Sequence, residues 1–203
     1  MTEASKSDLT RKRIIEAGRG LLLRYGFSGV GLARILAESG VPKGSFYYYF
    51  DSKEAFGAAL LDDYIAGYLA RFESLMASPG TAGDRLSRFW DAWMAQADHA
   101  GIASECLVVK LGAEIADLSG PMREILDSGV DALVERIAFL LREGAADGSL
   151  NRFDDPDATA RMLYARWLGA AILAKLAQNN APLRMARAET AAQLTPTENI
   201  TTD

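Results

Sequence analysis

Residues 41–56 read VPKGSFYYYFDSKEAF, with five consecutive aromatics, Phe46 to Phe50, at the centre of the phrase. On a helix of about 3.6 residues per turn, five neighbours cannot share one face. Phe46 and Phe50 lie four apart and do share one, so they are expected to pack inward onto the first helix, while Lys43, Ser45, Tyr47 and Tyr48 point elsewhere. Exposed tyrosines beside lysines require a partner. Tyrosine hydroxyls, the ammonium groups of Lys43 and Lys53, and backbone N–H groups at the start of this helix suit phosphate oxygens. Lys43 and Ser45 also have the reach for base edges.

Upstream, Leu32, Ile35 and Leu36 place one apolar face on a short helix over 32–39, which Gly40 ends in a left-handed conformation. Gly40-Val41-Pro42-Lys43 is then the turn, and Gly44 to Phe50 the next helix. Two short helices joined by a tight glycine-containing turn form a helix-turn-helix, the unit whose second helix enters the major groove of DNA. An earlier helix is expected over Thr10–Tyr25, with Ile14, Gly18, Leu21, Leu22 and Tyr25 at helical spacing, Thr10 as cap and Gly26 as stop.

Charge divides along the same line. The chain carries −5 overall, yet residues 1–53 hold nine Lys/Arg against five acids, +4, leaving thirteen against twenty-two, −9, in the remaining 150. A basic head on an acidic body fits phosphate binding at one end, and is equally compatible with an ordinary solvated surface.

Downstream, a long helix is expected over 54–76, ended by Ser78-Pro79-Gly80. Another follows over 82–100 with an apolar stripe of Leu86, Phe89, Trp90, Trp93 and Met94, then a segment through Cys106 to about Asp117. Ser119 and Pro121 read as cap and first-turn proline of a helix to about Gly144, and Asp155-Pro156 opens a last helix ending near Asn179. The helices over 121–144 and 156–179 are the expected dimer interface, a four-helix bundle with their symmetry mates in which Gly169, Ala170, Ala171 and Ala174 permit close approach. Covering the monomer's own core would also explain them. The domain division is therefore 1–53 for a helix-turn-helix DNA-binding domain, 54–182 for a helical sensing and dimerisation domain, and 183–203 for a mobile tail. The fold class is all-α.

Composition excludes several functions. Forty-nine per cent of the residues are apolar, enough for a real core, but no run reaches the roughly 18 apolar residues a membrane span needs, so a cytoplasmic protein without a membrane partner is expected. One cysteine, Cys106, and one histidine, His99, supply neither a disulfide framework nor a metal-ligand cluster. No nucleophile–base constellation or phosphate-binding glycine loop is present, so an enzyme, in the form of a helical thiol enzyme, is the least favoured reading, and no metal or cofactor is expected.

Residues 10–60, and the phrase at 41–56 above all, resemble the TetR family of repressors. The resemblance implies an all-α homodimer on a palindromic or near-palindromic double-stranded DNA operator, with recognition helices about 34–36 Å apart. Carried over position by position, it implies DNA contacts from Lys43, Gly44, Ser45, Tyr47, Tyr48, Tyr49 and Lys53, with Arg11 a weaker candidate. The chain departs from the family where a threonine often opens the second helix: Gly31-Leu32 stands there and removes a side-chain contact.

Residues 104–119, SECLVVKLGAEIADLS, and 164–176, YARWLGAAILAKL, resemble the N-ethylmaleimide-responsive branch of that family, which senses reactive electrophiles. In that branch the matching cysteine and lysine, here Cys106 and Lys175, act together. Lys175 is the only charged residue between Arg166 and Arg184, and an ammonium near a thiol lowers its pKa and favours the nucleophilic thiolate. A lone cysteine on an apolar helix is more commonly an inert core residue, and a lone lysine near a helix end a dipole partner. The alternative sensor is a non-covalent one, with Phe89, Trp90, Trp93, Tyr164 and Trp167 lining a pocket for a small-molecule inducer.

Overall fold

The computed structural model describes residues 6–99 and 105–196, with side chains given for all of these except 95–99. The predicted end of the helix at 100, the His99 side chain and the end of the tail beyond 196 lie outside them. Among the described residues there are nine helices and no strand: α1 Lys6–Tyr25, α2 Leu32–Ser39, α3 Lys43–Tyr49, α4 Lys53–Met76, α5 Ala82–His99, α6 Leu107–Leu118, α7 Gly120–Asp147, α8 Pro156–Ala177 and α9 Ala181–Leu194. The all-α expectation is met, and none of these helices is long and apolar enough to cross a membrane.

The chain forms two compact units, and α4 and α7 each begin in the first and end in the second. The first holds α1 to α3, residues 53–67 of α4, α6 and residues 120–128 of α7. Its core is built from Ile14 and Leu22 of α1, Ile35 of α2, Phe46 of α3 and Phe56, Leu60 and Leu61 of α4, all fully buried. Gly40 holds φ 64° at the end of α2 and lets the chain reverse into Val41-Pro42 before α3. Gly31 caps α2 without a side-chain hydrogen bond, so the contact missing from the sequence is missing in the structure. Thr10 is not a cap. Its hydroxyl donates to the Lys6 carbonyl from within α1, which is already helical at Lys6. Ser119 fills the capping role read for it: its oxygen accepts from the Met122 amide at 3.3 Å and its hydroxyl donates to the Glu54 carboxylate.

The second unit is packed around indoles. Trp90 of α5 and Trp167 of α8 stack at 4.7 Å with 11° between their planes, and Trp93 meets Trp167 edge-on at 5.7 Å. Asp155 caps α8 by accepting from the Ala158 amide at 2.9 Å, with Pro156 behind it as the sequence suggested. The expected tail at 183–203 is corrected here, because residues 181–194 form α9, packed on α8 and α5. Pro182 was the misleading residue: it sits in the first turn, where a proline lacks nothing. Leu183, Ala186, Thr190 and Leu194 then bury one helical face, and Thr190 accepts from the Trp167 indole N–H at 3.1 Å.

Candidate nucleic-acid interface and thiol site

Helix α3 is fixed from below by an aromatic triad. Phe46 and Phe50 are buried, and their ring centroids lie 5.5 and 5.3 Å from that of Phe56 on α4. Their partner is therefore the last residue of the same sixteen-residue phrase rather than α1 alone, which adds the Arg11 guanidinium 5.5 Å over the Phe50 ring. With the inner face occupied, Tyr48 is left 78% exposed and Tyr47 45%. Lys43 and Gly44 are exposed and Ser45 is half-buried beside them. The Lys43 ammonium stands 5.9 Å from the Tyr47 ring, so these two share one patch. Tyr49 turns aside: it is half-buried, and its phenolic oxygen accepts from the Ser7 hydroxyl of α1 at 3.2 Å.

Lys53 is less exposed than a plain phosphate contact would be. Its ammonium donates to the Phe27 carbonyl at 2.7 Å and lies 4.4 Å from the centroid of that ring. Burial lowers its pKa, and the Glu114 charge opposes the shift. Glu114, on α6, lies within the stretch 104–119 quoted above but is assigned no role there; it accepts from the Phe27 amide at 3.1 Å and from the Ser28 amide at 2.7 Å. Burial alone would raise its carboxyl; the hydrogen bonds from Ser28 and Phe27 outweigh that and hold it below the usual range. The only signal in the sequence is an acid inside the apolar helix LVVKLGAEI. Lys110, one turn earlier, donates to the Arg24 carbonyl at 3.4 Å at the end of α1.

Cys106 sits immediately before α6 and is 7% exposed. The Tyr64 hydroxyl of α4 donates to its sulfur at 3.8 Å, and the Arg19 guanidinium lies 5.5 Å over the Tyr64 ring. Burial pushes the thiol pKa up, against the amides of Val109 and Val108 and the Tyr64 hydroxyl, which favour the thiolate. The net direction is upward, away from the thiolate. Lys175 belongs to the second unit, where it is exposed near the end of α8.

Three of the five aromatics expected to line a pocket border two cavities described here, Phe89 and Trp93 one and Trp90 the other. A cavity of about 310 Å³ lies between α4 and α5 in the second unit, bordered by Phe89 and Trp93 together with Tyr68, Arg71, Phe72 and Leu75. Tyr164 and Trp167 are buried against Trp93, and Trp90 stacks on Trp167 and borders a separate cavity of about 280 Å³ with Arg187 and Thr190. Trp93 donates to the Tyr68 hydroxyl at 2.9 Å, which fixes both side chains in the cavity wall.

Comparison with known proteins follows the same two parts of the chain. Residues 14–60 match the family described as bacterial regulatory proteins, tetR family, and residues 82–190 match the tetracyclin repressor-like C-terminal domain. The chain is 39% identical over 180 residues to the HTH-type transcriptional repressor NemR of Escherichia coli strain K12, covering 88% of this chain and 90% of that one. It is 37% identical over 183 residues to the transcriptional regulator AcuR of Cereibacter sphaeroides, covering 89% and 83%. Among solved structures, the reduced form of E. coli NemR superposes with a TM-score of 0.88 at 38% identity, over 93% of this chain and 98% of that chain.

Proposed function

The chain belongs to the TetR family of bacterial regulatory proteins, and on that premise we propose that it is a cytoplasmic, non-enzymatic repressor that binds a palindromic or near-palindromic DNA operator as a homodimer. The observation that carries the reading is α3: a buried Phe46–Phe50–Phe56 base with Lys43, Tyr47 and Tyr48 turned out to solvent. Residues 1–53 act as the DNA-binding domain and 54–182 as the sensing and dimerisation domain. Lys43, Tyr47 and Tyr48 donate to phosphates and base edges, Gly44 admits the backbone close to the DNA, and Ser45, Tyr49 and Lys53 complete the contact. Lys43→Ala and Tyr47→Phe each weaken operator binding while the dimer stays folded. Loss of one phosphate contact lowers the slope of log affinity against log salt by about one. Parent-like salt titrations for both variants overturn the assignment.

The effector is a reactive electrophile or oxidant that acts through Cys106, with Lys175 as its functional partner. The thiol gives its proton to solvent, and the sulfur adds to the electron-poor carbon of a maleimide or quinone. The carbon–carbon π bond breaks with its pair passing to the carbonyl as an enolate, and the enolate takes a proton back from solvent. Cys106 is packed against Tyr64, so an adduct does not fit the structure described here and shifts the population toward a form that releases DNA. Alkylation of Cys106 that leaves operator affinity unchanged removes it from the mechanism. One observation favours a second reading, a non-covalent inducer: the cavity bordered by Phe89 and Trp93, where Arg71 suits an anionic group on an aromatic body. Cys106→Ser separates the two, since a covalent sensor loses its response and a pocket binder keeps it.

A further inference from the structure

Three backbone groups of the turn between α1 and α2 are held by side chains far along the chain. The Phe27 and Ser28 amides both donate to the Glu114 carboxylate, 87 and 86 residues away, and the Phe27 carbonyl accepts from Lys53. The Phe27 ring is seated against α4 at Gly57, where a β-carbon would come within 2.5 Å of it and 2.6 Å of the Met122 sulfur. Gly26 has φ 75°, and a β-carbon there would lie 2.8 Å from the carboxylate, so the anion can approach this turn because no side chain is in the way.

Any hydrogen-bond acceptor would satisfy two amides. An anion on α6 does more, because its charge also faces Lys53 across Phe27. An ammonium has three donors, one of which Phe27 takes, so the group keeps donors for a phosphate while its position is fixed from the turn. Glu114 lies eight residues along the chain from Cys106, the residue that caps α6, about 12 Å at 1.5 Å per residue on one unbroken helix. From this geometry we propose that Glu114 is a positioning residue for operator binding, fixing the Phe27–Ser28 turn and through it the Lys53 ammonium, so that a displacement of α6 is felt at the DNA backbone.

The proposal rests on the DNA-binding reading, and the test separates the two. The probe is a 30-base-pair duplex selected by the parent protein from a random-sequence pool, titrated at several salt concentrations against Glu114→Ala, Glu114→Gln, Lys53→Met and the Glu114→Ala/Lys53→Met double variant. Glu114→Ala is expected to bind about tenfold more weakly with a salt slope smaller by about one. Lys53→Met should match it, and the double variant should be no weaker than Lys53→Met alone, because both changes remove the same contact. Glu114→Gln keeps one acceptor and should fall between; it carries the test if the alanine variant fails to fold. Hydrogen exchange at the Phe27 and Ser28 amides should speed up in both Glu114 variants. Parent-like affinity and slope in Glu114→Ala overturn the proposal, as do losses that multiply in the double variant. A parent that selects no duplex defeats the DNA-binding reading instead, and unchanged amide exchange then overturns the positioning role on its own.

Discussion

Cys106 is surrounded by groups that work in opposite directions. Burial raises its pKa, while the Tyr64 hydroxyl and the amides of Val109 and Val108 favour the thiolate. The net upward shift means that at pH 7 it alkylates more slowly than an exposed thiol, and its rate keeps rising with pH after the exposed thiol has levelled off. Tyr64→Phe removes one donor to the sulfur and slows the reaction further. A rate profile of N-ethylmaleimide alkylation against pH checks both, and a profile matching that of a free thiol would show that the burial is not maintained in solution. The functional role proposed for Lys175 predicts that Lys175→Met slows the same reaction. The second titrating group is Glu114. Its carboxyl is lowered on folding, so the stability it contributes is fully present above the unfolded carboxylate value and is lost as pH falls through the folded one. Exchange protection of the Phe27 and Ser28 amides should therefore survive mild acid and fail only below the ordinary carboxylate range. Neither feature could be read from the sequence: a lone cysteine and a single helix acid declare their surroundings only after sequence-distant segments meet.

Helices divide more cleanly into what was legible and what was not. Both helices of the helix-turn-helix and the turn at Gly40 follow from periodicity and one left-handed residue, and Asp155-Pro156 marks the start of α8. Helix α9 was hidden because a proline in the first turn looks the same as a proline that ends order. The recognition helix makes a sharp test of the inner and outer faces. Phe46→Ala deletes a fully buried ring and should cost about 3–5 kcal/mol in thermal or denaturant unfolding. Tyr48→Ala, on the outer face, should stay within about 0.5 kcal/mol of the parent while weakening DNA binding. At α8, Asp155→Ala leaves the Ala158 amide without its cap and should cost about 1 kcal/mol. Equal losses for Phe46→Ala and Tyr48→Ala would contradict the packing of α3.

Over the whole molecule, the pattern of apolar residues divides into those that fill each unit and a set left outside. On α8, Met162, Ile172, Leu173 and Leu176 are exposed, the last at 76%, and Phe139 of α7 is exposed as well. This is the face on which the dimer is proposed, and the sequence pointed to both helices without showing which residues turn outward. Gly169 makes the experiment clean, because a β-carbon there meets nothing within 4 Å in the single chain. Gly169→Leu should leave the melting of the isolated chain unchanged and weaken self-association, with overpacking costing about 1–3 kcal/mol at each copy of the site. Sedimentation at low concentration reads the outcome, and a variant that stays as dimeric as the parent moves the interface elsewhere.

The exposed face of α8 also has a genetic consequence. If it joins two chains, each complex carries two heads, and a chain whose head is ruined by Phe46→Ala still offers an intact partner surface. Co-expressed in equal amounts with the parent, it would leave only about a quarter of the pairs with both heads sound if subunits assort at random. Such an allele would be dominant-negative, and adding Gly169→Leu to it would make it recessive.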